Sequence, residues 1–186
     1  MEDKETTVLC ENTFTPTQAH YAQAYAAMTK FTDLLLFGFV ILMALVLVLS
    51  SIVSEQPFFG RENLVPLIAL GIAILAVMAQ HFLLPKLYAS RAVKRICAAY
   101  GALGALTVTV LSDGVRMYNA ANDGEVRFPF ASFAHFSETR DLLLLRTTAR
   151  QTVMASKTGF TEGFSAAQFK ALMQEKCPQA KIKWKK

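Results

Sequence analysis

Three groups of side chains in this sequence have the type and spacing to do chemistry. The first is Gln80-His81, near the end of an apolar run, where an ionisable ring is a candidate for a proton or ion path. His81 stands five residues before Lys86, about 7.5 Å by helical rise. It therefore reaches an interface, and neither apolar run holds a carboxylate for a relay, so an interfacial histidine is the expectation. The second group is basic and uninterrupted by acids: Lys86, Arg91, Lys94 and Arg95. The third is the tail, where Lys181, Lys183, Lys185 and Lys186 surround Trp184, the only tryptophan. A lysine near an anionic leaflet contributes about 1 kcal/mol, and tryptophan favours the headgroup zone. The same alternation fits a terminal strand with Ile182 and Trp184 turned inward.

Other chemistries find no residues. Cys10, Cys97 and Cys177 lie far apart without CxxC or His-paired spacing, so neither a disulfide nor a zinc site is expected. His20 and His135 are isolated and read as surface or satisfied histidines. There is no Gly-rich phosphate loop, HExxH, nucleophile elbow or kinase signature. The expectation is no catalytic residue, no cofactor, no metal and no enzyme. Nor is any nucleic-acid module visible to give the basic run that meaning.

The elements that must position these residues are set by hydropathy. The 186 residues are 53% apolar and 18% charged, with a positive mean hydropathy of +0.34, which departs from soluble composition. The stretches 34–54 and 63–85 contain no Asp, Glu, Lys or Arg. About 20 helical residues cross a hydrocarbon core of about 30 Å, so both qualify as transmembrane helices. The first is too long for a signal-peptide core, and acids rather than bases precede it. Residues 86–186 carry 16 Lys and Arg against seven acids, whereas the connection between the spans has only Arg61. Basic residues collect on cytoplasmic flanks. The expected topology is a multi-pass protein of the cytoplasmic (inner) membrane with both termini cytoplasmic, its collar (Lys86, Arg91, Lys94, Arg95) at the interface.

Around the spans the periodicity predicts four units. Residues 1–33 form an N-terminal amphipathic helix, with Thr15 as cap, Pro16 at its first position and Gln18 in a capping box. Tyr21, Tyr25 and Met28 share its face, directed to headgroups or to the cytoplasmic domain. Residues 34–85 are two transmembrane helices, turning near Pro57 and Gly60 as an antiparallel hairpin. Ala69, Ala73 and Ala76 give the second helix a close-packing face, toward the first span or another copy. A basic juxtamembrane helix fills 86–104. From 105 to 186, turn signals at Ser112-Asp-Gly114 and Asn122-Asp-Gly124 punctuate some six strands of an antiparallel β meander. Within it Phe133 and His135 alternate, with Phe136 out of phase. A C-terminal helix follows, with Ser165 as cap, Gln168 at the third position and a stop at Pro178. The fold class is α+β, a transmembrane hairpin followed by an autonomous cytoplasmic domain of pleckstrin-homology-like plan.

The run Thr152-Val-Met-Ala-Ser-Lys157-Thr-Gly-Phe160, continuing to Leu172, and the Phe14-Thr-Pro-Thr-Gln-Ala-His-Tyr21 helix start resemble the YcxB-like family of small bacterial membrane proteins. Members often carry Ile-Pro-Lys-Arg-x-Phe after the last strand; here Lys157 and Phe160 are kept and the Pro and Arg are absent. The resemblance implies this architecture and carries over no catalytic residue. The expected function is a membrane-anchored binding or regulatory module that recruits a protein or a lipid headgroup at the inner membrane face. Its partners would be the bilayer, anionic headgroups, a protein or a second copy, and not nucleic acid. The alternative is a subunit of an oligomeric transporter or channel, which the spans' lack of charges disfavours.

Overall fold

A computed structural model describes residues 7–53 and 60–184. The turn expected at Pro57 lies outside them, as do Lys185 and Lys186. The chain begins with a strand, β1 (Val8–Phe14), where a helix was expected to fill the N-terminal region. Its partner is β2 (Leu106–Leu111), antiparallel, with Cys10 facing Val110 and Phe14 facing Leu106. A strand whose partner lies so far along the chain leaves little local signal.

The first helix, α1 (Gln18–Val53), runs unbroken for 36 residues, about 54 Å. The expected N-terminal helix and first span are thus one rod. Its cap is Thr17 and not Thr15. The Thr17 hydroxyl accepts from the His20 N–H at 3.3 Å, and the Thr17 N–H donates to His20 Nδ1 at 3.2 Å. This is a capping box with an imidazole in place of a carboxamide. A second rod comprises α2 (Leu64–Met78), a π-turn (Ala79–Leu83) and α3 (Leu84–Tyr100). Pro85 lacks an N–H, and its ring crowds the carbonyl four residues back. The π-turn that precedes it widens the helix there, so the rod continues.

Thr32–Val53 and the second rod are long and apolar enough to cross a membrane. No residue of α2 is buried, so these are not core helices. The rods run antiparallel: Tyr25 stacks on Tyr88 at 4.5 Å, Gln80 donates to Asp33 at 3.0 Å, and Asn63 donates to Ser51 at 3.1 Å. Of the three alanines proposed as a packing face, Ala73 is half-buried while Ala69 and Ala76 are exposed.

Two four-stranded sheets enclose the core. One has the order β1-β2-β3-β4, with β3 (Gly114–Asn119) and β4 (Gly124–Pro129). The other has the order β7-β6-β5-β8, from β5 (Phe133–Glu138), β6 (Leu142–Thr147), β7 (Thr152–Ser156) and β8 (Lys181–Lys183). All pairings are antiparallel except β5 with β8. Both predicted turns are present, and the Asn122 side chain accepts from the Gly124 N–H at 3.1 Å. A register irregularity between Phe133 and His135 explains the phase change seen in the sequence, because it lets Phe133 and Phe136 both face the core. The final helix, α4 (Ala166–Lys176), has the expected Ser165–Gln168 capping box and buries Phe169 and Met173 in that core.

The sheets meet at Asn12. This buried carboxamide donates to the Ser156 carbonyl at 2.7 Å and accepts from the Ser156 N–H at 2.9 Å, like one rung of a strand ladder. The domain therefore includes residues before the helices, against the expectation that 105–186 folds alone. Asn12→Ala leaves two buried backbone groups unpaired and should destabilise the protein by about 2 kcal/mol. A fragment of 105–186 should stay unfolded, while one carrying 7–17 on a short linker should unfold cooperatively. Thermal melts followed by circular dichroism check this; a cooperative transition in the shorter fragment would contradict it.

Candidate functional site

The π-turn builds the first polar node. It directs Gln80 and His81 at α1, where Asp33 receives Gln80 Nε2 on one oxygen at 3.0 Å and lies 3.6 Å from His81 Nδ1 with the other. His81 thus has a carboxylate neighbour just outside the charge-free runs, at Asp33. Asp33 sits just before the first charge-free stretch and reads as its boundary, but it is an interior residue of α1. The signal available in the sequence was Asp33 as the last acid before the first apolar run and His81 near the end of the second. In an antiparallel pair those positions meet. The His81 side chain is 61% exposed, so the node lies at the edge of the helix pair rather than sealed within it.

Two turns back along α1, the rod is gripped by the second sheet. Alternation on β6 sends Leu143 and Leu145 into the core and Leu142 and Leu144 outward, where Ala24 and Ala27 of α1 cover them. Gln23 fixes the far end: its carbonyl oxygen accepts from the Thr139 hydroxyl at 2.9 Å and the Asp141 N–H at 3.2 Å, and its amide donates to the Asp141 carboxylate at 2.6 Å. Met28 fixes the near end, with its sulfur 3.5 Å from the Thr152 hydroxyl. Between α1, α3 and β7 lies a cavity of about 300 Å³ lined by Tyr21, Tyr25, Met28, Tyr88, Thr152 and Met154. The aromatic stripe predicted on α1 thus faces α3 and the sheet.

The tail forms a strand in which Trp184 turns inward, as the strand arrangement expects, while Ile182 is exposed. β8 lies beside β5, and Trp184 stacks on Phe136 at 5.7 Å with Lys170 Nζ 5.7 Å from its ring centre. Lys170 and Lys157 each reach one oxygen of Glu138 at 2.5 Å. Burial alone would push the Glu138 carboxyl up; the hydrogen bonds and charges of Lys157 and Lys170 outweigh it and hold the group below its ordinary value. This clasp joins β5, α4 and the segment after β7. It also accounts for the Lys157-Thr-Gly-Phe160 run. A Cβ on Gly159 would meet the Thr13 carbonyl at 2.6 Å, and Phe160 packs on Phe169 at 5.2 Å.

The basic collar divides by height. With Gln80 opposite Asp33 and Tyr88 opposite Tyr25, Lys86 follows the end of its own apolar stretch at Pro85 and falls opposite Ala27, about 9 Å by helical rise from Asp33. Arg91, Lys94 and Arg95 follow on α3, about 8 to 14 Å farther along the rod by helical rise. All four are exposed. Lys183 is exposed as well, whereas Trp184 is partly buried.

No cluster of three or more His, Cys, Asp or Glu suited to a metal occurs among the described residues. Cys10 and Cys177 are buried, and burial pushes each thiol up to about 11, so both are protonated and inert near neutral pH. No family model matches the sequence, and no curated protein is similar to it.

The clasp predicts an acid sensitivity. A carboxyl lowered by folding contributes stability above its unfolded value of about 4.3, and that stability is lost as pH falls through the lower folded value. Glu138→Gln should lower stability at neutral pH by about 3 kcal/mol, since both lysines lose their counter-charge, and should flatten the stability profile below about pH 4. Chemical denaturation across that range measures both effects; an unchanged acid limb would show that other carboxylates dominate it.

Proposed function

We propose that the chain is a membrane-anchored binding or regulatory module at the cytoplasmic face of a bacterial inner membrane, recruiting a protein or a lipid headgroup there. The carrying observation is that its two apolar rods are exposed along their spans, and the first continues as the same helix that the second sheet grips. In this reading the rods form a transmembrane hairpin set between the first and second strands of a pleckstrin-homology-like domain. Two four-stranded sheets, antiparallel except where β8 joins β5, and a helix that buries Phe169 and Met173 in the core support that plan. Pairing of β1 with β2 supports an even number of crossings, and the excess of Lys and Arg after residue 85 supports a cytoplasmic domain. Kinship with the YcxB-like family rests on the 152–172 run. The exposed Ala69 and Ala76 offer a face to a second copy.

A transport subunit is the second reading, favoured by one observation, the Asp33–Gln80–His81 node between the rods. Such a subunit would need several copies to enclose a path, and proton flux in vesicles lost in Asp33→Asn would support it.

Orientation is the direct test of the anchored module. In a chain whose native thiols are replaced by serine, Asn63→Cys should react with an impermeant maleimide in intact cells. Asp123→Cys should react only after lysis. The reverse pattern would invert the topology, and equal labelling of both in intact cells would contradict a crossing between them.

A further inference from the structure

The β6–β7 hairpin carries a feature that the anchored reading leaves unused. Leu142, Leu144 and Arg146 alternate onto the outer face of β6, the face that α1 covers. Arg146 is paired with Thr152, and Thr152 touches Met28. The strand runs from the Gln23 contact at Asp141 to the Met28 contact at Thr152, which is the direction in which α1 approaches its apolar stretch. The hairpin tip, Thr148-Ala-Arg150, therefore points to the level where that stretch begins.

Four cations lie within about 10 Å of that level along the rods, by helical rise from these contacts. Lys30 follows Met28 on α1, and Lys86 stands between the Gln80 and Tyr88 contacts on α3. Arg146 and Arg150 come from the hairpin. Lys30, Lys86 and Arg150 are exposed and Arg146 is half-buried. None has an acidic partner within ion-pair distance among the described residues. Arg150 also holds a left-handed backbone, φ 64°, a conformation that favours Gly or Asn and costs about 1 kcal/mol for other residues. The turn is fixed by its own hydrogen bonds, from the Arg150 N–H to the Thr147 carbonyl at 3.0 Å and from the Gln151 N–H to the Thr147 hydroxyl at 3.1 Å. A rigid tip therefore presents a long cation where a small residue would be easier.

We propose that Lys30, Lys86, Arg146 and Arg150 form a headgroup-contact surface by which the β domain binds the phosphates of anionic phospholipids in its own leaflet. The inference rests on the anchored reading and adds which surface meets the lipid and by what chemistry. Arginine pairs with phosphate oxygens through two parallel N–H donors, and lysine adds point charge. The surface differs from the Arg91–Arg95 face of α3, which lies farther along the rod.

The test uses the full chain with Cys97→Ser and one fluorophore, at Thr148→Cys or at Asn122→Cys. Asn122 belongs to the β3–β4 turn, whose Ala120 N–H bonds the Ala105 carbonyl just beyond α3, so it lies at the far end of the rods. Each protein is placed in nanodiscs of phosphatidylcholine, or of phosphatidylcholine with an equal part of phosphatidylglycerol, both with a headgroup nitroxide quencher. Quenching at Thr148 should exceed that at Asn122 and should be stronger in the anionic discs, fading with added salt. Each arginine contributes about fivefold to docking on an anionic surface, so Arg146→Gln with Arg150→Gln should weaken it by about twenty-five-fold. Arg91→Gln with Arg95→Gln should leave it unchanged. Equal quenching at Thr148 in the two disc types overturns the recognition of anionic lipid, and quenching no greater than at Asn122 overturns the placement. Release of Thr148 quenching by soluble polyglutamate, at matched ionic strength and with no lipid dependence, would reassign the surface to an acidic protein. A chain that fails to enter discs at all would instead refute the anchored reading.

Discussion

Pairing of β1 with β2 is the constraint on which the rest of the molecule depends. The two strands are separated by about ninety residues, and a flexible loop of that length would oppose their meeting only through a slowly growing entropy. Here the excursion is stiff. Tyr25 on Tyr88, Gln80 on Asp33 and Asn63 on Ser51 hold its rods antiparallel, so the chain returns to the point it left. Phe14 then meets Leu106, and Asn12 reaches Ser156 to join the sheets. Without the helix pairing β1 has no local reason to find its partner, and without β1 the core lacks Cys10 and a strand that links its two sheets.

The same arrangement couples the domain to the rods. One helix, α1, is capped at the domain by Thr17 and His20, covers Leu142 and Leu144, and continues through the apolar stretch with no flexible joint. Gln23 and Met28 fix its direction against β6 and β7. The second rod could have failed at Pro85, and the π-turn prevents this while aiming Gln80 and His81 at Asp33. A helix joined to its domain in this way fixes the direction of the domain relative to the apolar stretch, and each surface of that domain faces a set direction along the rod.

Sequence reading succeeded where the determinants are local. The charge-free stretches, the two hairpin turns at Gly114 and Gly124, and the Ser165–Gln168 box each depend on residues a few positions apart. It failed where the determinant is a distant partner. Val8–Phe14 carries an acid and an asparagine and shows little as a strand until β2 and Ser156 are beside it. Asp33 looks like the end of a span until Gln80 and His81 come across. Trp184 could face lipid or core by its own alternation, and Phe136 and Lys170 decide it. The four-residue collar reads as a single patch in sequence; a continuous α3 spreads it along a rod and leaves Lys86 next to the end of its own apolar stretch.

Hydrogen exchange on the full chain in nanodiscs tests the central claim, that a strand preceding the helices completes the domain. The Asn12 amide, which faces β2, and the Thr13 amide, bonded to the Gly159 carbonyl at 2.8 Å, should be protected to the same degree as the amides of Thr107 to Val110, because these strands open together. Exchange of Asn12 and Thr13 at the rate of an unpaired segment, with Thr107 to Val110 still protected, would contradict it.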